Sequence, residues 1–189
     1  MTFLIPDRSA PITLFWFAGN FEPLLSETIL DIYGYNGVFL RDVCHDWYLG
    51  GIEGIGDHET SVEWLGRQIN GKAVFAGQSS GGYAALRYAH ALKPELCIPF
   101  APQTRNLHGR PAMPLPSLVD LYREEPRSFP ICFHLARSEN KSRSQYFWDD
   151  WEQIAPFRAM DNVTITSHPT DEHPVSLYLH SRDRFYATI

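Results

Sequence analysis

The part of the sequence that best predicts the fold is KAVFAGQSSGGYAALRYAH, residues 72–90. It begins with a short apolar run typical of a buried strand and ends in an Ala-, Leu- and Tyr-rich segment typical of a helix. Between them stands Gly77-x-Ser79-x-Gly81, whose glycines allow a strand and a helix to approach closely. Such a turn exposes the serine hydroxyl at the start of a helix. We therefore predict that Ser79 is a nucleophile, the alternative being a chance match on an ordinary turn.

Short apolar runs and helical patterns alternate along the rest of the chain. This alternation predicts an α/β fold, a single doubly wound domain over 1–189 with a mainly parallel sheet of about six strands and helices on both faces. The proline-rich span 102–130 is predicted to be a small cap-like insertion over the sheet. Asp57 is expected to cap the second helix. The predicted strands are 12–17, 37–40, 72–76, 96–101, 130–135 and 163–166, and the predicted helices are 21–34, 58–70, 80–92, 116–124, 144–158 and 174–187.

Composition excludes several classes of protein. With 189 residues, 44% apolar and 14% aromatic, the chain can bury one core and is not mainly disordered. A net charge of −6 without a Lys/Arg block argues against nucleic acid or a membrane as partner. The apolar run 12–18 is too short to span a bilayer, and residues 1–10 lack the pattern of a secretory signal. We therefore expect a cytoplasmic protein, in which Cys44, Cys97 and Cys132 are reduced thiols and not a disulfide framework or a zinc site.

A serine hydroxyl needs a base to remove its proton, and one of the eight histidines is well placed for this role. His173 follows the last predicted strand and precedes a helix that begins near Pro174. In this kind of fold the order along the chain is serine, acid, histidine. We predict that His173 is the base; the alternative is a residue that caps the helix.

The acid should follow the strand predicted at 130–135. Glu139 lies in the loop after that strand, from which a carboxylate can reach the imidazole. Asp149 and Asp150 lie in the next predicted helix. We favour Glu139, with Asp150 second, and all three have the alternative of being solvent-exposed carboxylates.

Two backbone N–H groups are needed to stabilise an oxyanion, and one comes from the residue after the nucleophile. Here that residue is Ser80. The second is expected from the loop after the first predicted strand, where we choose the N–H of Asn20. The alternative for Gly19-Asn20 is an ordinary turn before a helix.

These residues resemble the α/β-hydrolase superfamily, in particular a compact bacterial branch of serine esterases and acyl hydrolases. The resemblance is carried by the GQSSGGYAAL elbow at 77–86, the RDVCHDWYLGG segment at 41–51 and the FAPQT turn at 100–104. It implies serine-dependent hydrolysis of a carboxylic ester or thioester through an acyl-enzyme, without metal or organic cofactor. It also suggests an acyl or acetyl ester of a carbohydrate as substrate. The chain departs from the family by starting at the third strand of the usual eight and by lacking an evident Asp after the penultimate strand.

The segment 41–51 has two interpretations. Asp42 would orient a loop or bind substrate hydroxyls, while Trp47 and Tyr48 would form a stacking platform for a sugar ring. The alternative is loop packing, in which Asp42 bonds the backbone and both aromatic rings cover the sheet edge.

Two other functions fit the same sequence. One alternative is an inactive hydrolase-fold module that binds a glycan or protein. This alternative stays open because a fold alone does not prove an activity. It would otherwise be an acyltransferase or thioesterase that uses the same Ser79–His173 pair. The partner expected in the enzymatic case is a small-molecule or glycan ester.

Overall fold

A computed structural model describes residues 2–5, 9–20, 35–107, 114–137 and 146–182. Its centre is a seven-stranded sheet in the order β1-β3-β2-β4-β5-β6-β7. Strands β2 to β7 are parallel, which confirms the prediction of a mainly parallel sheet of about six strands. The strands are β1 (Thr2–Ile5), β2 (Ile12–Ala18), β3 (Asn36–Arg41), β4 (Lys72–Gln78), β5 (Leu96–Phe100), β6 (Ile131–Ala136) and β7 (Val163–His168).

Strand β1 was not predicted, and the expectation that the chain starts directly at the strand now called β2 is wrong. β1 pairs antiparallel with β3 at the edge of the sheet, with Thr2 opposite Leu40 and Ile5 opposite Gly37. An antiparallel edge strand of four residues interrupts the regular β–α alternation from which the other strands were predicted.

Five α-helices are described, close to the predicted ranges. They are α1 (His58–Gln68), α2 (Ser80–Leu92), α3 (Leu118–Glu124), α4 (Tyr146–Ile154) and α5 (Val175–His180), and a 3-10 helix (Ala155–Ala159) follows α4. As predicted, the Asp57 side chain caps α1 and accepts a hydrogen bond from the Thr60 N–H at 2.9 Å. The helix predicted at 21–34 lies outside the described residues. Within the described ranges, no helix has the length and apolar character needed to cross a membrane.

The central strands are buried on both faces, as their continuous apolar runs predict. Successive residues of β2 point to opposite faces of the sheet. Phe17 stacks on Tyr88 of α2, with ring centroids 5.4 Å apart, and Trp16 packs on Phe100 of β5 at 5.8 Å. All four side chains are fully buried. The helix α2 is therefore fixed against β2 and β4, and its first residue is fixed with it.

The span 102–130 contains helix α3, whose Tyr122 is buried and donates a hydrogen bond to the Leu86 carbonyl at 2.9 Å. This part of the span is a packed connection between β5 and β6. Residues 108–113 lie outside the described part of the chain, so a cap over the site remains a prediction. The three cysteines are free thiols.

Candidate active site

Ser79 occupies a sharp turn between β4 and α2. Its φ of 57° and ψ of −116° are rare for a residue with a side chain and store strain in the backbone. The turn is held by hydrogen bonds from Ser79 N to the Phe100 carbonyl at 2.8 Å and from Tyr83 N to the Ser79 carbonyl at 3.1 Å. The turn predicted from the sequence is therefore present, with the serine at the carboxyl end of a central strand.

The two glycines around Ser79 are required by close packing. A Cβ on Gly77 would lie 2.7 Å from the Phe17 carbonyl oxygen, and a Cβ on Gly81 would overlap the same oxygen. Neither residue leaves room for a side chain between β2 and the start of α2. This is the close approach of strand and helix that the glycine spacing predicts.

His173 comes to Ser79 from the loop between β7 and α5. Its Nε2 lies 2.9 Å from the Ser79 Oγ. The loop is held by Gln78, the residue before the nucleophile, which is almost completely buried. The Gln78 Nε2 donates to the His173 carbonyl at 3.1 Å, and its Oε1 accepts from Ser176 N at 3.1 Å. Gln78 was not predicted, although a carboxamide at the end of an otherwise apolar strand indicates a buried polar contact.

The carboxylate that contacts His173 is Asp150, on helix α4. Its Oδ2 lies 2.8 Å from the His173 Nδ1, and the residue is 1% exposed. The prediction that Glu139 is the acid is therefore wrong, because the carboxylate on the His173 Nδ1 belongs to Asp150, the second choice. Glu139 itself lies outside the described residues, as does the side chain of Asp149. The carboxylate on the ring therefore comes from helix α4.

A second polar group touches the Ser79 hydroxyl. The Gln103 Oε1 lies 3.1 Å from the Ser79 Oγ, so the single hydroxyl hydrogen of Ser79 has two acceptors, Gln103 and His173. Gln103 follows β5 in the FAPQT turn. The sequence analysis recorded this turn only as part of the resemblance and gave Gln103 no role.

The predicted oxyanion donors lie next to the nucleophile. Ser80 is the first residue of α2, so its N–H is at a helix N-terminus, where negative charge is stabilised. The loop with Gly19 is close, since a Cβ on Gly19 would lie 3.5 Å from the Ser79 Cβ. The Asn20 N–H donates to the Ser80 Oγ at 3.0 Å. The two residues are therefore adjacent, and the Asn20 amide has an internal acceptor in this state.

The segment 41–51 is packed as a structural loop. The Asp42 Oδ2 accepts from Trp47 N at 2.7 Å, and the Tyr48 hydroxyl lies 2.9 Å from the Ala18 carbonyl oxygen. Trp47 is 8% exposed and Tyr48 1%. A stacking platform needs an exposed ring face, so the assignment of Trp47 and Tyr48 as a sugar platform is wrong. The Asp42 carboxylate is buried too, and its contact is with the backbone, as in the packing alternative.

The segment 41–51 also contacts the turn at Gly19-Asn20. His45, Trp47 and Tyr48 have φ values of 52°, 64° and 57°, a conformation that residues with side chains rarely adopt. The Arg87 guanidinium stabilises it by donating to the Tyr48 carbonyl at 3.1 Å. The His45 Nδ1 lies 3.3 Å from the Asn20 Oδ1. The strained loop therefore reaches the residue predicted to bind the oxyanion.

A histidine pair lies between the last two strands. The His134 Nδ1 and the His168 Nε2 are 2.8 Å apart, and the rings are stacked. Burial, with a smaller contribution from His168, lowers the pKa of His134 to about 4, so that the imidazole is neutral near pH 7. Within the described ranges, no group of three or more His, Cys, Asp or Glu residues is arranged to hold a metal ion.

Comparison of sequences finds no matching family model and no matching curated protein. Comparison of structures finds proteins of the same fold. A lipase-esterase related protein from Clostridium acetobutylicum has a TM-score of 0.59 at 14% identity, over 100% of this chain and 99% of the other. An esterase from Pyrococcus furiosus has a TM-score of 0.61 at 15% identity, over 98% of this chain and 82% of the other. An α/β serine hydrolase homologue from Coxiella burnetii has a TM-score of 0.59 at 16% identity, over 100% and 97%.

Proposed function

Because this chain has the α/β-hydrolase fold, we propose that it is a serine hydrolase that cleaves a carboxylic ester or thioester through an acyl-enzyme. The observation that supports this most directly is the continuous hydrogen-bonded line from Ser79 through His173 to Asp150, with contacts of 2.9 and 2.8 Å. Nucleophile, base and orienting carboxylate at these distances are the arrangement that activates a serine.

In the acylation step, Ser79 Oγ attacks the carbonyl carbon while His173 Nε2 accepts the hydroxyl proton. The buried Asp150 carboxylate keeps the ring oriented and stabilises the imidazolium that forms. The oxyanion is placed at the Ser80 N–H and, once the amide is released from the Ser80 hydroxyl, the Asn20 N–H. Each such donor contributes about 3 kcal/mol to transition-state stabilisation. The bond to the leaving group then breaks, and His173 returns the proton to the departing oxygen or sulfur.

In the deacylation step, water takes the place of the leaving group. His173 removes one proton from the water as its oxygen attacks the acyl carbon. The bond between the acyl carbon and Ser79 Oγ then breaks, and the proton on His173 passes to Oγ. This restores the free serine and releases the carboxylic acid.

Covalent labelling with a fluorophosphonate probe tests the proposal, because an unactivated serine does not react with it. We expect intact-mass spectrometry to show one phosphonyl group on the wild type and none on Ser79→Ala. Ser128→Ala is the matched control, since Ser128 is exposed and far along the chain from the elbow, and it should be labelled like the wild type. A wild-type protein that stays unlabelled, with its fold intact, would instead support the non-catalytic binding module.

The substrate class is part of the same proposal. We take a short acyl or acetyl ester, including one on a carbohydrate, as the first group of substrates to screen, together with thioesters of the same acyl group. The acyl-enzyme is common to hydrolysis, thioester cleavage and acyl transfer, so product analysis separates these reactions. The cytoplasmic location expected from the sequence belongs to this proposal as well.

A further inference from the structure

Gln103 touches the reacting oxygen, yet the mechanism above does not use it. Its Oε1 is 3.1 Å from the Ser79 Oγ. Among the described residues, this is the only hydrogen bond of the Gln103 side chain, and the residue is partly exposed to solvent. A carboxamide offers both an acceptor and two donor hydrogens, and among the described residues only the acceptor has a partner.

The turn that carries Gln103 is fixed on both sides of it. Ala101 has a φ of 40°, a strained conformation for a residue with a side chain. Pro102 packs closely on α2: a Cβ added to Gly82 would lie 2.9 Å from the Pro102 Cβ. On the other side, Thr104 N donates to the Gln153 Oε1 at 2.8 Å. The carboxamide is thus held at the nucleophile before substrate binds.

The strand order places Gln103 on the leaving-group side of Ser79. β5 lies between β4 and the strands β6 and β7, after which Asp150 and His173 follow. Asn20 comes from β2, on the opposite side of β4. In the tetrahedral intermediate the oxyanion faces Asn20 and Ser80, while the leaving oxygen must lie within reach of His173. Gln103 therefore lies beside the oxygen that leaves in acylation and attacks in deacylation.

Acylation changes the environment of this side chain. When Ser79 becomes an ester, its hydroxyl hydrogen is gone, and the Gln103 Oε1 loses the donor that it has in the resting protein. A ligand that carries a donor group at this position can replace the lost hydrogen bond. A hydroxyl group on the incoming molecule supplies that donor.

We propose that Gln103 binds the alcohol side of the substrate, an inference that rests on the proposed function. In acylation it favours polyhydroxyl leaving groups, and in deacylation it favours polyhydroxyl acceptors. One hydroxyl attacks the acyl carbon and gives its proton to His173 Nε2, and a neighbouring hydroxyl donates to the Gln103 Oε1. The new C–O bond forms, the bond from the acyl carbon to Ser79 Oγ breaks, and the proton on His173 passes to Oγ. The product is an ester of the polyol.

The test is a partition experiment with p-nitrophenyl acetate as the acyl donor. Acetyl transfer to 1,2-propanediol and to 1-propanol, present at equal concentration, is measured by chromatography of propyl acetate and of the two propanediol monoacetates, which are summed. Their ratio depends on the acyl-enzyme alone and not on how fast it forms or how much protein is active. We expect the wild type to favour the diol by about tenfold, the effect of one hydrogen bond of about 1.4 kcal/mol.

Gln103→Met keeps the length of the side chain and removes its hydrogen-bonding groups, so the diol preference should fall at least fivefold. Gln103→Asn keeps the carboxamide and should retain part of the preference. Gln68→Met is the matched control, because Gln68 ends α1 at the opposite end of the sheet, and its ratio should equal that of the wild type. A wild type without diol preference, or an equal preference in Gln103→Met, would overturn the inference. If p-nitrophenol is not released in a Ser79-dependent way, the proposed function fails and this inference fails with it.

Discussion

Asp150 and Gln153 lie three residues apart on α4 and hold two different parts of the site. Asp150 contacts the His173 ring, while the Gln153 Oε1 accepts hydrogen bonds from the backbone of Thr104 and Arg105 at 2.8 and 3.0 Å. Residues at this spacing lie on one side of a helix. A single helix therefore sets the position of the base and that of the turn with Gln103, and a shift of α4 changes both.

The first prediction concerns the acid. Asp150→Asn removes the charge that stabilises the imidazolium and should lower kcat for p-nitrophenyl acetate by about 10³–10⁴-fold. Glu139→Gln is the matched variant at the carboxylate that the sequence favoured, and its kcat should stay within about twofold of the wild type. The reverse order of effects would show that Glu139, and not Asp150, serves His173. Melting curves on both variants exclude loss of the fold.

The second prediction concerns Gln78, which positions the His173 loop without touching the reacting atoms. Gln78→Met removes the hydrogen bonds to the His173 carbonyl and to Ser176 N. Each contributes about 1 kcal/mol, so kcat should fall about tenfold or more while KM changes little. The rate of fluorophosphonate labelling should fall in parallel, because it depends on the same base. Unchanged labelling at an intact fold would contradict a positioning role.

The third prediction concerns the strain at Ser79. Both Ser79→Gly and Ser79→Ala remove the hydroxyl and its hydrogen bonds, but only glycine adopts a φ of 57° at little cost. After the greater entropy of glycine in the unfolded chain is subtracted, the glycine variant should be more stable by about 1 kcal/mol. Urea denaturation measures the difference in free energy of unfolding. Equal stabilities would mean that the turn is not strained.

The fourth prediction concerns the Ser80 hydroxyl, which accepts the Asn20 N–H in the resting protein. Ser80→Ala frees that amide for the oxyanion and leaves the backbone N–H of residue 80 in place. Since the hydrogen bond that no longer has to be broken is worth about 1 kcal/mol, kcat/KM should rise by up to about fivefold. Stopped-flow measurement of acylation checks this. A decrease would show that the Ser80 hydroxyl itself donates to the oxyanion.

The fifth prediction is a pH dependence of stability. The pKa of His134 is lowered to about 4, whereas an exposed histidine in the unfolded chain titrates near its ordinary value of about 6.5. Below that value the unfolded chain binds more protons. The stability contributed by neutral His134 is therefore complete above about pH 6.5 and is lost as the pH falls towards 4, by at most about 1.4 kcal/mol per pH unit.

We expect His134→Gln, which has no group that titrates there, to lose less stability than the wild type between pH 6.5 and 4.5. The free energy of unfolding in urea at several pH values provides the comparison. Parallel curves for the two proteins would mean that His134 is protonated alike in both states.

The sequence predicted the parts of the molecule that are determined locally. The parallel strands follow from apolar runs, and the turn at Ser79 follows from glycines two residues away on each side. His173 was identified because the loop after the last strand must open at the same end of the sheet as Ser79. The strands and the turn were signalled by neighbouring residues along the chain, and His173 by the order of the strands.

The features that were missed depend on contacts between distant segments. Glu139 was preferred because it follows the strand directly, whereas the contact of Asp150 with His173 depends on how α4 packs against β6. Trp47 and Tyr48 are buried in a loop in which both residues have a left-handed backbone conformation. Large aromatic residues rarely adopt this conformation, so the sequence did not predict it. Gln103 is a polar residue in a turn, and its meeting with Ser79 follows from the order of the strands.

His173 lies 94 residues after Ser79 along the chain, and this separation has a consequence during protein synthesis. The ribosome therefore synthesises Ser79 long before His173. A nascent or prematurely terminated chain that lacks the β7–α5 loop therefore carries an unreactive serine. In the proposed mechanism, acylation of Ser79 can therefore begin only after the loop between β7 and α5 has joined the sheet.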